Sequence, residues 1–210
     1  MQNETLLGEP PLVGILRGVQ PVRVVEIAGV LCDAGIRIIE VPLNSPDPFT
    51  SIAALAAARG ADCLIGAGTV LDLEAVRSTH AAGGRLIVAP NCDPEVIRGA
   101  LQLGMQVLPG IATATEAFAA IRAGATQLKL FPAATYGPRH LQALRAVLPP
   151  GVGVLPVGGV GAADIQSWLA AGAAGFGFGS ELFRPEYDLQ QIEQRARQLV
   201  HALRAAHRPP

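Results

Sequence analysis

Along this chain one unit recurs: a stretch with helical spacing of apolar positions, a glycine, then a short run that is apolar throughout. The glycines are Gly35, Gly60, Gly83, Gly104, Gly124, Gly151 and Gly172, spaced 20 to 27 residues apart. A glycine just past a helix takes the left-handed conformation that satisfies the last carbonyls, so the punctuation predicts helix C-termini. The runs that follow are RIIEV (37–41), CLIGAG (63–68), LIVAP (86–90), MQVLPG (105–110), QLKLF (127–131), VGVLPV (152–157) and GFGFG (175–179). With LVGIL (12–16) in front they make eight strands. Strands apolar on both faces belong to a parallel sheet covered by helices. Pro21 fits a first helical position, Asp72, Asp93 and Thr115 fit caps, and a last helix is expected over residues 188–206, ahead of a frayed HRPP end.

Eight such units predict an α/β fold closed into one (β/α)8 barrel, a TIM barrel, with residues 1–210 forming a single domain. A doubly wound open sheet is the competing architecture, and the near-uniform repeat favours closure. Composition agrees: the 210 residues are 50% hydrophobic and 16% charged, as a compact globular chain should be. A formal net charge of -1 points away from nucleic acid and from anionic membranes. No run approaches the roughly 18 apolar residues of a spanning helix, and the acidic start MQNETLLGEPP does not read as a signal peptide, which points to the cytoplasm. Cys32, Cys63 and Cys92 are far apart in sequence and form no CxxC pair, so no disulfide framework is expected; four scattered histidines predict no structural zinc.

The basic residues are almost all of one type. Fifteen of the sixteen are arginine, and the one lysine is Lys129. Arginine-rich usage follows from a GC-rich genome, but a lysine that survives it sits where an amine is needed, because arginine cannot serve as a nucleophile. Lys129 lies within QLKLF, on the face of the strand opposite Leu128 and Leu130. If those leucines pack under helices, Lys129 points into the barrel, where desolvation favours the neutral amine. The competing reading is a lysine reaching solvent or paired with Glu40. Glu40, in RIIEVPLN, shares a face with Ile38, and a carboxylate there is costly unless paired or used for proton transfer.

Other strand ends carry Arg17, Thr69, Pro90, the pair Gly158–Gly159 after Val157, and the pair Gly179–Ser180. Glycines after strands seven and eight let backbone N–H groups approach a phosphate, or else make tight turns. Arg17 either holds a carboxylate or phosphate or is an ordinary surface arginine; Thr69 either binds substrate or caps a turn.

These residues sit in motifs that resemble the 2-keto-3-deoxy-6-phosphogluconate / 2-keto-3-deoxy-6-phosphogalactonate aldolase family. The motifs are GILRG (14–18), EVPLNSP (40–46), IGAGTVL (65–71), IVAPN (87–91), PGIATATEAF (109–118), LKLFPA (128–133), VGGV (157–160) and GFGS (177–180). The resemblance runs from Leu12 to Arg184. It implies a class I aldolase without metal or cofactor, a homotrimer, that yields pyruvate and D-glyceraldehyde 3-phosphate. By the same resemblance Lys129 is the Schiff-base lysine and Glu40 the general acid/base. Arg17 and Thr69 hold the pyruvate carboxylate region, Pro90 and Phe131 wall the pyruvyl methyl group, and Gly158, Gly159, Gly179 and Ser180 take the phosphate. Val157 stands where phosphogluconate-type relatives commonly carry threonine, and the motif wording is closer to the phosphogalactonate branch; activity on the gluconate epimer or on both is the alternative. A sugar-phosphate isomerase or epimerase, and a non-catalytic sugar-phosphate binding protein, are the readings from other classes.

Overall fold

The computed structural model describes residues 10–207; the start of the MQNETLLGEPP segment and residues 208–210 of the HRPP end lie outside them. Among the described residues, nine short strands and eight α-helices follow one another, a helix separating every two consecutive strands except the fifth and sixth. The strands are β1 (Leu12–Ile15), β2 (Ile38–Pro42), β3 (Leu64–Gly68), β4 (Leu86–Val88), β5 (Gln106–Leu108), β6 (Gly110–Ile111), β7 (Gln127–Leu130), β8 (Gly153–Pro156) and β9 (Phe176–Phe178). The helices are α1 (Pro21–Ala34), α2 (Pro48–Arg59), α3 (Leu73–Ala81), α4 (Pro94–Gln102), α5 (Ala114–Arg122), α6 (Ala133–Arg145), α7 (Ile165–Ala170) and α8 (Leu189–His207). Each expected apolar run holds a strand, and the fifth holds two because Pro109 interrupts it.

All pairings between named strands are parallel. One group runs β5-β4-β3-β2-β1-β9 and the other β6-β7-β8. The interrupted run serves both groups, its first half pairing with β4 and its second with β7. At the other junction Val157 bridges Gly177, and the Ala174 N–H donates to the Val154 carbonyl at 2.9 Å.

The sheet curls, and its two faces bury different side chains. Val13, Ile38, Leu64, Leu86, Val88, Leu108 and Leu155 form a separate cluster, each contributed by alternate positions of its strand. The intervening residues, such as Ile39, Ile65, Ile87, Leu128, Leu130 and Phe176, join a larger cluster with the apolar stripes of the helices. Leu128 and Leu130 are completely buried there, each contributing roughly 1.5–3 kcal/mol of apolar burial. Together they fix which way β7 faces.

Helix ends follow the local chemistry. Pro21 opens α1, and the side chains of Asp72 and Asp93 accept from backbone N–H groups at the starts of α3 and α4. The expected cap Thr115 is corrected to Thr113: its hydroxyl accepts from Glu116 N at 3.3 Å, and Glu116 Oε2 accepts from Thr113 N at 2.8 Å, a reciprocal box. Thr115 lies inside α5 instead. Six of the seven punctuating glycines have positive φ. Gly60 does not (φ -63), because its N–H continues the helical bonding to Ala56 O at 3.0 Å. Among the described residues no helix is long and apolar enough to cross a membrane.

Candidate active site

The two residues that sequence reasoning put on the concave face of the sheet are there. Lys129 on β7 is 6% exposed and Glu40 on β2 is 2% exposed. In register, Lys129 lies beside Gly110 and Leu155, and Glu40 beside Ile15 and Gly66. No direct ion pair joins them among the described residues. Each still feels the other. Burial pushes the Glu40 carboxyl above its ordinary value, opposed by the charges of Lys129 and Arg17. Burial also pulls the Lys129 amine below its ordinary value, opposed by Glu40 and reinforced by Arg17. The two titrations are thereby drawn toward neutral pH from opposite sides, the arrangement proton-transfer sites need.

Glu40 Oε2 is buried without a hydrogen-bond partner. It lies in a notch made by an absent side chain. A Cβ on Gly68, in β3, would fall 1.2 Å from that oxygen. Backbone conformation does not require the glycine; the carboxylate does. Next to it, Thr69 adopts φ 57, a left-handed conformation that costs a β-branched residue ~1–2 kcal/mol. Strain of this kind is retained where geometry serves a site.

The remaining candidates surround this pair unevenly. Arg17 is exposed at the end of β1, and its guanidinium donates to Asn44 Oδ1. The following Gly18 N–H donates to Ser45 Oγ at 2.9 Å, so the loop after β2 braces the loop after β1. Lys129 Nζ stands 5.0 Å from the centre of the Phe131 ring, close enough for a cation–π contact when the amine is charged. A Cβ on Gly158 (φ 94) would meet that ring at 3.2 Å, which puts Phe131 and the Gly158–Gly159 turn side by side. Gly159 (φ 72) faces Ala134 in the first turn of α6, where a Cβ would come within 2.6 Å. The bridge between Val157 and Gly177 brings the ends of β8 and β9 together, and with them Gly179, which has open space where a Cβ would be, and the exposed Ser180. Pro90 is half-buried at the end of β4, with its carbonyl 2.2 Å from where a Gly110 Cβ would lie. Thr69 and Pro90 share the rim through topology, at the ends of β3 and β4.

Asn44 and Gly68 were not singled out from the sequence. Both lie inside quoted motifs, EVPLNSP and IGAGTVL, but their roles depend on neighbours 27 residues away in Arg17 and 28 away in Glu40.

A buried amine facing a buried carboxylate, under a rim with an arginine on one side and glycine turns on another, can condense with a ketone and shuttle protons. It can also hold anionic groups at both ends of a small substrate.

Known proteins converge on the same chemistry. The family model "KDPG and KHG aldolase" matches residues 4–196. The 2-dehydro-3-deoxy-6-phosphogalactonate aldolase of Escherichia coli (strain K12) is 47% identical over 98% of this chain and 99% of that protein. A 2-dehydro-3-deoxy-phosphogluconate aldolase of Pseudomonas aeruginosa is 32% identical over 80% of this chain and 76% of its own length. Among solved structures, one described as "Native KDPGal structure" superposes with a TM-score of 0.94 at 47% identity, covering 98% of each chain.

Proposed function

Because this chain belongs to the KDPG and KHG aldolase family, we propose that it is a class I aldolase that cleaves 2-dehydro-3-deoxy-6-phosphogalactonate to pyruvate and D-glyceraldehyde 3-phosphate. The observation that carries this reading is the burial of the only lysine against a buried glutamate on the concave face of the sheet.

In this mechanism the neutral Lys129 amine attacks the C2 ketone. Glu40 moves the protons that let hydroxide leave as water, producing an iminium. The iminium draws electrons from the C3–C4 bond as the C4 hydroxyl loses its proton, so glyceraldehyde 3-phosphate departs and an enamine remains. Protonation of the enamine at C3 and hydrolysis release pyruvate and restore the amine. Burial serves both groups: it shifts Lys129 toward the neutral amine and Glu40 toward the protonated carboxyl. Arg17, held by Asn44, and the strained Thr69 are assigned to the carboxylate of the pyruvyl end. Pro90 and Phe131 wall its methyl group, and the Gly158, Gly159, Gly179 and Ser180 backbone takes the phosphate.

The galactonate epimer is preferred here on the higher identity to the phosphogalactonate enzyme than to the phosphogluconate one, and on Val157, which offers no hydroxyl near C4. We also infer that residues 1–210 form one domain and that the strands close into a complete eight-unit barrel, supported by the shared Gln106–Ile111 run and the Val157–Gly177 bridge. A homotrimer follows from the family resemblance and is checked by sedimentation. Cytoplasmic action suits a phosphorylated substrate, whose charge bars unaided passage through a membrane.

The test is reductive trapping. Incubation with pyruvate and borohydride should add one pyruvyl group to Lys129, found by peptide mass, and Lys129→Arg should abolish both adduct and turnover while leaving the fold intact. Folded wild-type protein that forms no adduct would overturn the Schiff-base reading.

A further inference from the structure

At the end of the sheet opposite the Lys129 site, two thiols that the sequence keeps 31 residues apart come together. Cys32 lies in the last turn of α1, and Cys63 immediately precedes β3. Both are buried, at 6% and 4% exposure. The carboxylate of Asp62 joins them: the two Sγ atoms and a carboxylate oxygen all lie within 4.8 Å of one another, the one such grouping among the described residues.

We infer that Cys32, Cys63 and Asp62 form a binding site for a thiophilic divalent cation of the zinc type, remote from catalysis. The ligand chemistry suits it, since thiolate sulfur and carboxylate oxygen are both zinc donors, with solvent completing a tetrahedron. The spacing is near what is needed, because sulfurs on one tetrahedral zinc stand about 3.8 Å apart. The sulfurs, within 4.8 Å, are at most about 1 Å farther apart than that. Charge also balances. When the cation displaces both thiol protons to solvent, two thiolates, one carboxylate and a divalent ion sum to one negative charge. Arg59, 3.8 Å from Asp62, and Arg37 offset it in part. Without a cation, burial, the Cys32 hydrogen bond and Asp62 outweigh Arg37 and push the Cys63 thiol up to about 12, so the ion itself must supply the charge that holds the thiolates. Access is through Asp62, whose side chain is 43% exposed. The site would tie α1 to the loop between α2 and β3, on a part of the scaffold that bears none of the reacting groups.

The full-length protein, reduced and stripped with chelator, is titrated with cobalt(II) or cadmium(II) while thiolate-to-metal charge-transfer absorption is followed. One equivalent should saturate the band. Cys32→Ser and Cys63→Ser should each remove most of it, Asp62→Asn should weaken binding by about tenfold or more, and Cys92→Ser should leave it unchanged. Retained pyruvate trapping at Lys129 establishes that each variant is folded. Absence of a band in the wild type, or a band that survives Cys32→Ser in folded protein, overturns the assignment.

Discussion

Replacing Gly68 with alanine tests whether the Glu40 carboxylate must sit where it does. The added methyl would lie 1.2 Å from Glu40 Oε2, 2.3 Å from its carboxyl carbon and 2.9 Å from Oε1. To reach ordinary contact the carboxylate must retreat by about 2 Å. A catalytic group displaced by ~1 Å can lose a hundredfold in rate, and a general acid/base is worth about 10²–10⁴ in all. Gly68→Ala should therefore lower kcat by roughly 10²- to 10⁴-fold, equivalent to about 3–5 kcal/mol of barrier. Gly68 does not occupy the left-handed region, so alanine suits its backbone, and near-UV circular dichroism should remain native. Pyruvate release through a coupled dehydrogenase gives kcat. Folded Gly68→Ala protein that works within threefold of wild type would refute the claim that this notch positions the acid/base.

Other substitutions probe other links. Glu40→Gln tests the linkage between burial and pH: the folded pKa of Glu40 is raised, so its contribution to stability is present below pH 4.5 and is lost as pH rises through the folded value. Urea unfolding should show the variant gaining on wild type across that window, and a constant difference would contradict it. Val157→Thr should shift the kcat/KM ratio toward the gluconate epimer by about five- to tenfold, the worth of one added hydrogen bond; an unchanged ratio removes Val157 from the specificity argument. Thr113→Ala breaks the reciprocal box at the start of α5 and should cost about 1 kcal/mol. Calorimetry should find a midpoint lower by about 2–4 °C.

Local chemistry was readable in the sequence and long-range proximity was not. All eight strand runs could be located because their apolar character and glycine boundaries are local signals. Lys129 and Glu40 were legible for a related reason: strand alternation decides the face, and Leu128 with Leu130 decides which face goes under the helices. The errors were local ambiguities settled by tertiary context. Two threonines compete to cap α5, and Glu116 lies three residues after Thr113, where its carboxylate can return the bond. Gly60 looks like the other helix-ending glycines, but the chain there continues its helical bonding into the turn toward Cys63. The Asn44 brace on Arg17, the Gly68 notch and the Cys32–Cys63 pair join residues from different units, and no spacing rule within one unit could have revealed them.

The burial of Lys129 also decides how the protein meets amine-directed reagents. With its sole lysine 6% exposed, the folded molecule presents almost no lysine to solvent, and every other Lys/Arg position in the chain is arginine. Bulky amine-directed resins therefore find no exposed lysine to couple to, whereas a small carbonyl compound that enters the site can reach Lys129. The same scarcity leaves trypsin with arginine as its only surface target, and makes any mass gained at lysine a direct report on the site.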